Sequence, residues 1–159
     1  MDKDNRDPLA TFNQLYKEMD EIYHQYARGH GISDTALWLL YSLYLSDVPY
    51  TQREICSEWH YPPQTLNSAL KTLERQELIS LEPAPGNQKN KQVVLTEKGK
   101  SVVRQIISPL VSAERQSFHQ LEEGEKEVLL SLTRKYVEVL RSNVQKICNS
   151  SASWTVTKI

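Results

Sequence analysis

Residues 51–95 read TQREICSEWHYPPQTLNSALKTLERQELISLEPAPGNQKNKQVVL, and the order of elements in them decides the fold. Thr51, with Glu54 three residues on, is a capping box, so a short helix starts at Gln52 and runs to Trp59. His60-Tyr61-Pro62-Pro63 is a tight break. A second helix is predicted over 64–76, with Leu66, Ala69, Leu70 and Leu73 at the steps of a buried face. The period then changes. Leu78, Ile79 and Leu81 form a short strand ending at Pro83, 84–91 is a loop, and Gln92 to Leu95 form a second strand. Short helix, turn, helix and hairpin with a long polar tip is the order of a winged helix-turn-helix, whose second helix normally enters a DNA major groove.

The outward stripe of that second helix is Gln64, Asn67, Ser68, Lys71 and Arg75, with Thr65 beside it. At steps of three and four these side chains share one face over three turns. None is acidic. Gln and Asn suit adenine, while Arg and Lys suit guanine or phosphate. Pro63 is favoured at a first helical position, but its side chain cannot cap, which leaves the next amides to donate to a phosphate oxygen. Alone, a polar outer face is what any surface helix carries. The hairpin beside it gives the face a direction. Between Ala84 and Arg104 the cations Lys89, Lys91, Lys98, Lys100 and Arg104 stand against one acid, Glu97. A basic hairpin next to a polar helix is what gripping a nucleic-acid backbone requires.

Working outward, Pro8 opens a helix with Leu9, Phe12, Tyr16, Met19, Tyr23 and Tyr26 on one stripe, ended by Arg28-Gly29-His30-Gly31. Ser33 or Asp34 caps a helix through Leu45 that is apolar nearly all round and should be the most buried. Thr96 caps a long helix to about residue 120, with Val103, Ile106, Ile107, Leu110 and Phe118 on its apolar side and Pro109 expected to kink it. Gly124 is expected to separate it from a last helix, 125–148, striped by Leu129, Leu132, Tyr136, Leu140, Val144 and Ile147. Residues 149–159 read as a polar tail. The fold class is mainly α with a small β-hairpin: a winged helix-turn-helix with N- and C-terminal dimerisation helices. Stripes so apolar need a partner, and a second copy of the chain would supply one.

The formal net charge of the 159 residues is −1, so a nucleic-acid surface can arise only from local segregation of charge. Cys56 and Cys148 form no CxxC or Cys/His cluster, which fits a reducing cytosol. Met1 to Asp7 lacks an apolar signal core, and no apolar run approaches the ~20 residues of a membrane span. A soluble, cytoplasmic chain without membrane contact is expected. His24, His30, His60 and His119 lack metal-ligand spacing, and no nucleophile–base pair or phosphate loop is visible. An enzyme, a metal site and a cofactor are therefore not expected. Cys56 reads as a small core residue, and a redox role for Cys56 or Cys148 is left open, since thiol reactivity depends on access and local charge.

The run Val93-Val94-Leu95-Thr96-Glu97-Lys98-Gly99 resembles V-x-L-T-x-x-G, the strand-to-helix junction of the MarR family of regulators. Thr65-Leu66-Asn67 through Leu73-Glu74 resembles that family's recognition helix, and Glu114 and Phe118 match a common pattern on its long helix. The resemblance covers Leu9 to Ile147. It implies a single domain over 1–159: a winged lobe at 33–100, dimerisation helices at 8–28 and 101–148, and a tail at 149–159. It further implies a triangular homodimer that binds double-stranded DNA as a transcriptional regulator, a repressor in the usual case. The DNA-contacting set is then Pro63, Gln64, Thr65, Asn67, Ser68, Lys71, Arg75, Asn87, Lys89 and Lys91. Asn87 and Lys89 replace the family's Asp-x-Arg, which loses the planar fork and its ion pair. Glu77 stands where the family often has glycine, so that turn is expected to be strained or differently capped. Family effectors often bind between the DNA-binding lobe and the dimer helices, where Tyr16, Tyr23, Trp38 and Tyr41 either pack as ordinary core or receive a small aromatic or apolar effector. The competing reading is a winged-helix module that binds protein instead of DNA; the non-acidic helix face and basic wing argue against it.

Overall fold

The computed structural model describes residues 7–46, 48–84 and 86–150. In chain order it has α1 (Pro8–Gly29), α2 (Asp34–Leu45), β1 (Tyr50–Thr51), α3 (Gln52–Trp59), α4 (Pro63–Arg75), β2 (Ile79–Ala84), β3 (Asn87–Leu95), α5 (Glu97–His119) and α6 (Glu123–Ser150). Two compact units form, one up to Val111 and the other from Ser112 onward. The fold is mainly helical with one small antiparallel sheet, a winged helix.

Local chemistry sets most boundaries. The Asp7 carboxylate accepts from the Leu9 amide and Pro8 opens α1. The Ser33 hydroxyl accepts from Ala36 at the start of α2. Thr51 and Glu54 close the capping box of α3. As its composition predicts, α2 supplies the centre of the core: Leu37, Leu39 and Leu40 are fully buried, and Ile55, Leu66, Leu70, Leu73, Ile79, Val93 and Ile107 pack around them.

The sheet differs from the sequence reading in two ways. It has three strands, in the order β1-β3-β2, because Tyr50 and Thr51 pair with Val93 and Gln92. The expected loop over 84–91 is mostly strand. β3 begins at Asn87, and the register passes from Pro83↔Lys91 to Ala84↔Asn87 through a bulge, so three extra residues are accommodated on β3. Further along, Gly124 is not the break before the last helix. It lies in the first turn of α6, where the Glu122 amide donates to Glu125 Oε2 at 2.8 Å. α5 continues through Pro109 as one helix, and α6 runs to Ser150; the rest of the expected tail, 151–159, lies outside the described residues.

Two helices stop by the same device. After α1, the Ile32 amide bonds the Ala27 carbonyl and the Gly31 amide bonds the Arg28 carbonyl, with Gly31 at φ +70°. After α4, Leu78 bonds Leu73 and Glu77 bonds Glu74, both at 2.9 Å, and Glu77 takes the left-handed position at φ 59°. Glutamate there carries the Cβ strain that glycine escapes. The reverse holds at Gly99. A Cβ on it would overlap the Leu78 carbonyl oxygen, so the first turn of α5 can rest on β2 only through glycine. The two sites predict opposite outcomes in urea denaturation. Gly99→Ala lowers stability by about 2 kcal/mol or more, the scale of overpacking, while Glu77→Gly raises it by about 0.5–1 kcal/mol. A neutral Gly99→Ala variant would contradict this packing.

Candidate nucleic-acid interface

α4 buries Leu66, Leu70 and Leu73 and turns Gln64, Thr65, Asn67, Ser68, Lys71 and Arg75 outward, all exposed. The structure therefore brings the sequence-predicted residues of this helix onto one face. Pro62 and Pro63 begin the helix with no side-chain cap. The Leu66 amide is taken by the Pro62 carbonyl, so Gln64 and Thr65 hold the uncommitted amides of the first turn. Aligned peptide dipoles make that end favourable to an anion.

Several of these side chains are held within the helix or by its neighbour. The Ser68 hydroxyl donates to the Gln64 carbonyl at 3.1 Å, so outward it offers oxygen lone pairs. Arg75 donates to the Thr72 hydroxyl at 3.3 Å. Asn67 Oδ1 accepts from the side-chain amide of Gln52 on α3. Gln52 is a residue the sequence reading missed. The sequence reading gives it only as the first residue of a short helix, and the crossing of α3 and α4 gives it a role. Its bond fixes the Asn67 amide and leaves the Asn67 N–H groups as the donors facing outward. Lys71 has no ion-pair partner among the described residues.

The wing needs a correction. Two of its five counted cations have other tasks. Lys98 Nζ donates to the Gln76 carbonyl at 2.7 Å and lies 3.7 Å from the Glu77 carboxylate, so it clasps the end of α4 to the start of α5. Lys100 pairs with Glu97 at 2.7 Å, and this partner holds the Glu97 carboxyl below its usual range. Lys91 is exposed on β3, and the backbone of Asn87 and Lys89 lies on the same strand.

The aromatic residues gather around Trp38, and Trp59 joins a set that the sequence reading gave without it. Trp38 lies 4.7 Å from Tyr23, 5.3 Å from Tyr41 and 6.2 Å from Trp59, centroid to centroid, and Trp59 lies 5.9 Å from Tyr41. Tyr16 is two turns back along α1, half exposed, with the Lys17 ammonium 5.7 Å from its ring. Burial, with the Asp34 charge second, pushes the nearby Tyr61 phenol up to about 12. His24 meets Asp34 at 3.0 Å. Among the described residues no three His, Cys, Asp or Glu side chains gather as a metal group, and no helix is long and apolar enough to cross a membrane. Cys56 is half-buried and Cys148 exposed.

The fold is shared with known proteins. Residues 30–89 match the MarR family. That match spans 60 of the 159 residues and marks this segment as similar to the family. Its fold is similar to that of S. aureus MepR in a MepR–DNA complex, with TM-score 0.70 and 23% identity over 86% of this chain and 99% of that one. It is also similar to a MarR family regulator from Neisseria meningitidis, with TM-score 0.74 and 18% identity over 89% of this chain and 99% of that one. A Listeria monocytogenes chain complexed with a 26mer DNA gives TM-score 0.69 and 18% identity over 96% of this chain and 99% of that one. At these identities the likeness is one of fold. No curated protein matches the sequence.

The capping box of α3 holds Gln52 in place for Asn67. The Thr51 amide and hydroxyl keep the Glu54 carboxyl below its ordinary range. A lowered folded-state value means the box contributes fully above about pH 4.3 and is lost as pH falls through the lower folded value. Thr51→Ala is expected to cost about 1 kcal/mol near neutrality. Urea denaturation of both proteins should show that gap closing as pH falls below about 4.3; a gap independent of pH would contradict the capping role.

Proposed function

We propose that this chain is a sequence-specific, double-stranded-DNA-binding transcriptional regulator that acts as a homodimer and represses by occupying its site. The observation that carries the reading is the outward face of α4: six exposed side chains, none acidic, above two uncommitted amides. Asn67, Gln64, Thr65 and Ser68 read base edges, and Lys71 and Arg75 grip phosphate or guanine. Lys89 and Lys91, with Asn87, serve the wing. The match of residues 30–89 to the MarR family and the DNA complexes of MepR and of the Listeria monocytogenes chain support this reading.

The homodimer is supported by apolar surface. On α6, Leu129, Leu132, Tyr136, Leu140, Val144 and Ile147 are all at least 37% exposed, as are Leu9, Phe12, Tyr16 and Met19 on α1. Faces of that extent call for a cover, and a second copy offers the same faces in return. Two recognition helices about 34 Å apart then meet successive major grooves. A small aromatic or apolar effector at Tyr23, Trp38 and Tyr41 would modulate binding by favouring one spacing; the Trp59 Nε1, buried with no hydrogen-bond partner among the described residues, supports a ligand beside these rings. Two free thiols suit work in the cytoplasm.

Titration with mixed-sequence duplex DNA at low and moderate salt tests the proposal. Binding should weaken steeply with salt, and Lys71→Ala should weaken it further and reduce the log–log salt slope by about 0.9, one phosphate contact. No binding at low salt would contradict it. Leu132→Glu on α6 should shift the chain toward monomer in sedimentation; an unchanged dimer would remove α6 from the interface.

A further inference from the structure

Between the first turn of α3 and the sheet lies a cleft of about 460 Å³, lined by Thr51, Arg53, Cys56, Pro63, Leu81 and Lys91, with Gln52 in its wall. β1 creates it. The pairing of Thr51 with Gln92 sets the start of α3 beside Lys91. Lys91 shares a side of β3 with Val93, which is fully buried, so its stem runs toward the helices while the residue stays exposed. Arg53 is exposed as well, and among the described residues neither cation has an ion-pair partner.

The neighbouring acids are committed elsewhere. Glu54 is tied to Thr51, and Glu82 accepts from the Ser80 hydroxyl. Two cations face one cleft with no acid in its lining, which selects an anion. Pro63 at the rim begins α4, whose Gln64 and Thr65 amides are uncommitted. Gln52 in the wall is bonded to Asn67, so the cleft is fixed in register with the face that reads bases.

The geometry points to a backbone-phosphate seat in this cleft, in which Arg53 and Lys91 clamp one strand of the duplex whose groove α4 enters. The inference rests on the DNA-binding reading and adds to it a residue, Arg53, outside α4 and the wing. The seat fixes how far α4 can rotate in the groove, because phosphate contacts set register while base contacts set sequence.

The test compares Arg53→Gln, Lys91→Gln and the double variant with the intact protein on mixed-sequence duplex DNA across a salt series. Each single change should lower the slope by about 0.9 and the double by about 1.8. Lys100→Gln, whose charge is already paired outside the cleft, should leave the slope unchanged. In the unmodified protein, duplex DNA should protect Cys56 from alkylation while leaving Cys148 reactive. Unchanged slopes for Arg53→Gln and Lys91→Gln, with Lys71→Ala still lowering its own, would overturn the seat and leave DNA binding standing. No binding by the unmodified protein would overturn both. Equal protection of Cys56 by inorganic phosphate alone would overturn the seat in favour of a small phosphorylated ligand.

Discussion

The backbone carbonyl of Leu78 is met from two directions. The Thr96 amide donates to it at 3.1 Å, and the first turn of α5 comes so close at Gly99 that no other residue fits there. The Thr96 hydroxyl donates to the Glu77 carbonyl at 2.6 Å and accepts from the Gly99 amide at 3.0 Å. Lys98 closes the same junction on the Gln76 carbonyl. The end of α4, the start of β2 and the start of α5 are thus one rigid joint. The exposed face of α4, the hairpin and the first turn of α5 take their positions from it, and the left-handed Glu77 is the strain the joint tolerates. The resemblance to V-x-L-T-x-x-G acquires a physical meaning here: threonine caps, and glycine permits contact.

The other end of α4 is fixed less tightly and is more exposed. Two prolines remove donors that would need capping, and the amides behind them stay uncommitted. Gln52 holds Asn67 from the neighbouring helix, so part of the face is preset before any ligand arrives. A surface organised in this way loses less side-chain freedom on binding.

Much of this was legible in the residues. The capping box at Thr51 and Glu54, the buried period of α4, the glycine stop after α1 and the apolar α2 all follow from local rules, and the structure keeps them. The strained turn expected at Glu77 is a left-handed residue. What escaped depends on contacts distant in sequence. β1 is two residues long, too short to show a period, and exists only because β3 lies beside it. Asn87 to Asn90 lack strand alternation, so their place on β3 comes from pairing and a bulge. Lys98 looked like a wing charge because its true partner is 22 residues upstream. Trp59 joined the aromatic cluster through the packing of α3 on α2, which no helical stripe reveals.

The central claim is that two copies of the α4 face read one duplex together. Selection of bound fragments from random duplex DNA tests it most directly. The account predicts recovery of a pseudo-palindrome whose half-sites lie about 10 base pairs apart, centre to centre, or a multiple of that spacing. Recovery of no preferred sequence, or of a lone half-site with no symmetric mate, would contradict it.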